Sequence, residues 1–299
     1  MKPAVFIHTN DKQMLGALVS AHSYRRNSRN PDSFDVRILR AEDFPELQQE
    51  GRSFLRGGHE RPWDPDDLQS FTPLRYAIPD QMRHQGLALV TDPDVFAVGD
   101  VAELFTRNLE GKAMWCRPRP GYHQITDPLA TSVMLLDCGK LPHWKFTEDL
   151  AALWDHRIDY LDWINLKREK PETIGLLEPE WNDFDHLTPE TKLLHNTKRR
   201  TQPWKTGLPV DFTLRERRGL MSLVMPIVRT VAPNYTRHPD RRQETYFYAL
   251  LAEALDSGSV SREQVEKEVR SGHVRPDSFD LIDRHRGQLW PAEARPKAA

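Results

Sequence analysis

The opening of the chain constrains its fold more than any other stretch. "AVFIH" (Ala4 to His8) is a short apolar run of the kind that forms a buried strand. "MLGALVSAHSYRRNS" follows with helical spacing, its Leu15, Leu18, Val19 and His22 on one stripe. "DVRIL" (Asp35 to Leu39) is a second strand-like run. Strand, helix, strand in this order is the opening of an α/β nucleotide-binding unit.

Later segments extend the pattern. "GLALV" reads as a third strand, and "AMWC" and "TSVMLLD" as further strands. "TPLRYAIPDQM" is helical up to Pro79, and "DVAELF" starts a short helix with Asp100 as its cap. "TEDLAALWDHRIDYLDWI" carries an amphipathic helical pattern. The polar stretch from Asp43 to Gln69, rich in Gly, Arg and Asp, reads as a surface excursion. From Val210 onward the character changes: "FTLRERRGLMSLVMPIVRTVA", "RRQETYFYALLAEAL" and "SREQVEKEVRSG" all read as helices with charged outer faces. The expected division is an α/β domain over 1–209 and a helical region over 210–299, with "PAEARPKAA" as a frayed tail.

Composition narrows the function classes. A net charge of −2 gives no overall field to gather nucleic acid. Two cysteines, Cys116 and Cys138, are too few for a disulfide framework or a cysteine-rich metal site. The apolar run in "MKPAVFIHTND" is too short for a signal-peptide core. "GLMSLVMPIV" breaks at Arg229, well short of the ~20 residues of a membrane helix. The expectation is a soluble, cytoplasmic protein without a transmembrane segment, with peripheral contact at the inner membrane face left open.

"GLALVTDPDVFAVGD" ends an apolar run with two aspartates, Asp92 and Asp94, around Pro93. Residues two apart in a strand project to the same side. Just past a strand end, both carboxylates reach one point. They repel unless a cation sits between them, and oxygen ligands suit a hard divalent ion, Mg²⁺ or Mn²⁺. Ligands in α/β sheets gather beyond the carboxyl ends of the strands. An arbitrary D-x-D is more often a capped turn, and the chain holds its own control. "WDPDD" repeats the triplet at Asp64 and Asp66 with no apolar run before it, and reads as a solvated turn.

The order "FTPLRYAIPDQM … LALVTDPDVFAVGDVAELF … TSVMLLDCGKL … EWNDFDH … LLHNTKRRTQPWKTG" resembles family 8 of the retaining glycosyltransferases, the group that includes glycogenin and bacterial lipopolysaccharide galactosyltransferases. The resemblance covers roughly residues 4 to 209. It implies a GT-A fold, an α/β nucleotide-sugar-binding domain with a mixed, mostly parallel central sheet flanked by helices, here with a helical C-terminal extension. It implies Asp92, Asp94 and His195 as metal ligands of Mn²⁺ or Mg²⁺ and a nucleoside diphosphate sugar, with a UDP-sugar the first expectation, as donor. Arg75 matches the basic residue before the metal strand. Thr9, Asn10 and Asp11 match the stretch that holds base and ribose. Thr131 and Ser132 match small polar residues near the donor sugar.

Departures from the family pattern are local. "HNTKRRTQPWK" lacks the usual glycine and has Gln202 in place of a lysine, so Lys198, Arg199, Arg200 and Lys205 are the cations available to a diphosphate. Gln13 stands near the place of a base-stacking aromatic, which leaves the donor base open. The family's Asp-Gln pair is replaced by a segment offering Asp159 and Asp162, of which Asp162 is the site candidate beside Asp94 and Arg75. The implied reaction moves a hexose with retained configuration to a glycan, a lipid-linked or a small-molecule acceptor. The alternatives are a nucleotide-sugar-binding protein without turnover and a phosphatase of the haloacid dehalogenase class. The C-terminal helices stand for an acceptor wall, a homodimer contact or a membrane contact.

Overall fold

The computed structural model describes residues 1–212 and 233–289. The helix expected within 212–232 and the tail at 291–299 lie outside the described residues, apart from Phe212.

β1 (Ala4–Thr9) is buried along its whole length. That is why it reads as a continuous apolar run and not as an alternating one. It lies between β2 (Asp35–Arg40) and β5 (Leu87–Thr91), parallel to both. β5 continues the sheet into β8 (Leu129–Asp137), which runs antiparallel, then β7 (Met114–Pro118) and β9 (Ile174–Leu176). Three of the five pairings are parallel, so the expected mixed, mostly parallel sheet is present.

Helix α1 (Met14–Arg26) closes the crossover from β1 to β2. Its Ala17, Ala21 and Tyr24 pack on Val5, Ile7 and Leu89 of one sheet face. The opposite face, with Phe6, Val90 and Met134, is covered by an aromatic layer that includes Tyr76, Trp144 and Trp163. Cys116 and Cys138 are free and buried, and burial pushes each thiol up to about 12.

The excursion is more ordered than its composition indicates. It carries a hairpin, β3 (Ser53–Arg56) and β4 (His59–Pro62), turning on Gly57 and Gly58, both at positive φ. Glycine takes that backbone without steric penalty. Asp64 and Asp66 do lie exposed in a turn, Asp64 accepting from the Asp66 N–H at 2.9 Å. "TPLRYAIPDQM" is a 3₁₀ turn over Thr72–Ala77 followed by α2 (Ile78–Gln81), so Pro79 lies inside the helix. First-turn prolines are tolerated because that N–H has no intrahelical partner. α3 (Ala102–Phe105) follows β6 (Val95–Ala97), with Asp100 accepting from the Ala102 N–H. The amphipathic pattern beginning at Thr147 is broken into α4 (Phe146–Trp154) and α5 (Tyr160–Ile164). Asp159 pairs with Leu55 of the hairpin, caps α5 at Leu161 and takes the Gly58 N–H at 2.8 Å. A tertiary strand contact overrides the local helical period there.

A second, small sheet joins β6 to β11 (Leu193–His195) and β10 (Asp183–Phe184). Helices α6 (Arg241–Asp256), α7 (Arg262–Arg270) and α8 (Ser278–His285) share one apolar cluster with Leu15, Val19, Phe96 and Trp204. Trp204 stacks on Phe247 at 4.6 Å. Ser261 and Gln264 form a capping box at the start of α7.

Gly16 of α1 lies against the Asp-Pro-Asp turn: a Cβ there would lie 2.8 Å from the Pro93 carbonyl oxygen. Backbone atoms yield little, so overpacking of about 1–3 kcal/mol follows. We expect Gly16→Ala to lower the urea midpoint at unchanged m-value. An unaltered midpoint would show that the turn yields freely.

Candidate functional site

Strand register builds the site. β1 and β5 are parallel with Ile7 opposite Thr91, so the next residues, His8 and Asp92, meet at the carboxyl end of the sheet. β8 pairs with β5 at Thr91–Val133, and the Asp92 N–H reaches the Ser132 carbonyl at 3.0 Å. After Pro93, β6 pairs with β11 so that Val95 stands opposite His195, and the Asn196 N–H bonds the Asp94 carbonyl at 3.0 Å. Asp92, Asp94 and His195 come together as a result, each offering one ligand atom, all within 4.8 Å of one another. Their side chains keep 16%, 12% and 8% exposure, so the point is half-sheltered yet reachable.

The surrounding groups set the charge states. His8 Nε2 lies 2.8 Å and Arg75 Nη2 3.0 Å from the same oxygen, Asp92 Oδ1. Asp92 Oδ2 takes no hydrogen bond from the described residues. Burial raises the Asp92 pKa, but Arg75 and then His8 outweigh it and hold the carboxyl down at about 2. Burial lowers His8, which has 0% exposure. Burial would also lower His195, but the carboxylates, Asp94 foremost, reverse the sign and raise it.

His195 faces two oxygen acceptors. Its Nδ1 is 2.8 Å from Asn182 Oδ1 and its Nε2 3.4 Å from Asp94 Oδ1. A neutral imidazole carries one N–H. With Nδ1–H given to Asn182, the Nε2 lone pair meets a carboxylate, which calls for either a second proton or a metal cation. Two carboxylates and an imidazole are a donor set that fits Mn²⁺, and Mg²⁺ less well because of the imidazole.

No protein-family description matches the chain, and no curated protein does. Solved structures that it is similar to include glycosyltransferases. One is the apo form of glycosyltransferase GlyE of Streptococcus pneumoniae TIGR4, at 18% identity and a TM-score of 0.48, over 80% of this chain. The chain spans 66% of that protein's length. Another is the galactosyltransferase LgtC in complex with donor and acceptor sugar analogs, at 13% identity and a TM-score of 0.45, over 81% of this chain and 99% of LgtC. A third is mouse xyloside xylosyltransferase 1, at 15% identity and a TM-score of 0.41, over 65% of this chain and 97% of that one.

The other residues singled out from the sequence fall into two groups. Arg75 is buried against the triad, donating to Thr131 Oγ1 as well as to Asp92, and Thr131 donates on to the Ile164 carbonyl at 2.7 Å. Ser132 Oγ accepts from Asn182 at 3.0 Å and lies 3.3 Å from His195 Nδ1. Thr9 and Asn10 are buried at the end of β1, and Asp11 pairs with Arg40 at 2.7 Å. The second group bonds to other partners or faces solvent. Asp162 is half-exposed and bound to Lys167 at 2.7 Å. Lys205 has 0% exposure, and its Nζ is bound to Asp211 at 2.6 Å beside the Tyr235 ring. Lys198 and Arg200 are exposed, while Arg199 lies over Phe212.

Three residues around the triad carry no role in the sequence reading. His8 is simply the last letter of an apolar strand. Asn182 sits inside "EWNDFDH" with no distinguishing spacing. Gln202, the departure from lysine, donates to Asp94 Oδ2 at 3.0 Å and accepts from Gln13 at 3.2 Å.

Losing a partner that orients a ligating histidine typically weakens metal binding 10–100-fold. We expect Asn182→Ala to weaken Mn²⁺ binding by about that factor, measured by titration calorimetry on folded protein. Equal affinity would show that Asn182 does not orient the ring.

Proposed function

We propose that the protein is a metal-dependent retaining glycosyltransferase that moves a hexose from a nucleoside diphosphate sugar to an acceptor. The observation that carries this reading is the convergence of Asp92, Asp94 and His195 at the carboxyl end of β5. Asp92, Asp94 and His195 would hold the ion. A bound Mn²⁺ supplies Lewis-acid neutralisation of the negative charge that grows on a departing diphosphate.

The chain's own groups do the remainder. Arg75 adds a fixed positive charge next to the triad and needs no reorganisation to act, because Thr131 and Asp92 already hold its guanidinium. Lys205 is fully buried and bound to Asp211, so the diphosphate falls to the exposed Lys198 or Arg200. The phosphate oxygen that leaves the anomeric carbon takes the acceptor's hydroxyl proton. The new bond then forms on the face that the leaving group vacates, and no protein base is required.

A second reading, nucleotide-sugar binding without turnover, has one observation in its favour. Gln202 stands where the family has a lysine, and its amide occupies an oxygen of Asp94.

Asp94→Asn tests both. We expect the wild type with Mn²⁺ to hydrolyse a nucleoside diphosphate sugar slowly, and the folded variant to lose about a hundredfold or more of that rate. Equal rates would remove Asp94 from the site. Mn²⁺-dependent nucleotide binding with no hydrolysis in the wild type would select the second reading. Release of inorganic phosphate would point to a phosphatase instead.

A further inference from the structure

We propose that the C-terminal helical layer completes the nucleoside pocket, with His273 as a nucleoside-binding residue oriented by Glu268. The inference rests on the nucleotide-sugar reading above and deepens it.

A cavity of about 240 Å³ opens past the end of β1, its lining including Asn10, Lys12, Glu42, Gln48, Asp66 and His273. The first five belong to the loop after β1 and to the segment after β2. His273 comes from the turn between α7 and α8, more than 200 residues later in the chain. That turn is tied to the triad's own loop: the Arg275 N–H donates to the Trp204 carbonyl at 2.9 Å, and Gln202 in the same loop holds Asp94.

Two features mark the cavity as a site. Asn10 is 2% exposed, and its Nδ2 is bound to the Asp67 carbonyl and to Ser70 Oγ, both at 3.0 Å. Its Oδ1 is buried without a partner. His273, which also lines the cavity, is fixed: its Nδ1–H donates to Glu268 Oε2 at 2.8 Å, and its backbone N–H to the Glu268 carbonyl at 3.0 Å. Glu268 is 3% exposed. A carboxylate that accepts the Nδ1 proton leaves Nε2 as an acceptor. Nε2 makes no hydrogen bond to the described residues.

Apart from Pro65, the lining residues are polar and carry both donors and acceptors, which suits ribose hydroxyls and a base edge. The volume is below the ~300 Å³ of a whole small-molecule site, so it takes the nucleoside portion and leaves the diphosphate outside.

Calorimetry with UDP, GDP, ADP and CDP in turn, each with Mn²⁺, tests the assignment on the full chain. We expect the wild type to bind at least one of them. His273→Ala should bind that nucleotide at least tenfold more weakly while binding Mn²⁺-pyrophosphate as the wild type does. In the wild type itself, site-resolved diethylpyrocarbonate labelling of His273 should be slowed by the nucleotide and not by pyrophosphate. That second measurement decides the matter if the variant does not fold. Unchanged nucleotide affinity, equal loss of pyrophosphate binding, or labelling indifferent to nucleotide would overturn the role of His273 and leave the glycosyltransferase reading standing. A wild type that binds none of the four nucleotides would overturn both.

Discussion

The parallel pairing of β1 with β5 is the constraint on which the rest depends. Ile7 opposite Thr91 puts His8 beside Asp92 as both chains leave the sheet. A slip of one residue would reverse which side chains face α1 and which face the aromatic layer, because side chains alternate with period two. Both faces are buried, so the apolar packing on each side fixes the register. The site is therefore positioned by the core, not by the loops around it.

Charge follows from that placement. Asp92 is taken largely out of water, which by itself disfavours a carboxylate. Arg75 and His8, both buried, converge on its Oδ1 and reverse the balance. Across the turn, the helix residue Gly16 lies close against the Pro93 carbonyl, where a side chain would not fit without movement. The small sheet then brings His195 in from a hundred residues away. The result is a compact cluster of negative oxygens with one imidazole, held on every side by groups that are themselves packed. Such a fixed set of donors suits a divalent cation.

The C-terminal helices belong to the same packing problem. Trp204 and Phe96 would present apolar surface to water without Phe247 and its neighbours on α6. The loop bearing Gln202 and Trp204 thus touches Asp94 on one side and the helical layer on the other. Buried Lys205 is neutralised within this region by Asp211, with Tyr235 donating to the same carboxylate. Lys205, whose sequence context pointed to phosphate, makes its ion pair with Asp211 here.

Strand and helix positions in the first half, and the two aspartates as a candidate ligand pair, were legible in the sequence because both signals are local. Apolar runs, a helical stripe and a D-x-D at a strand end each lie within a dozen residues. The break between α4 and α5 was not legible, since a contact with Leu55 decides it. Nor were His8, Asn182, Gln202 and the buried pairing of Lys205. Gln202 and Asp94 are separated by 108 positions, and His195 and Ser132 by 63. The sequence by itself determined which segments are buried and where the carboxylates emerge. The family resemblance named His195 as their partner, but only the tertiary structure decided which other distant side chains meet them, because strand register and core packing are long-range contacts that no local pattern encodes.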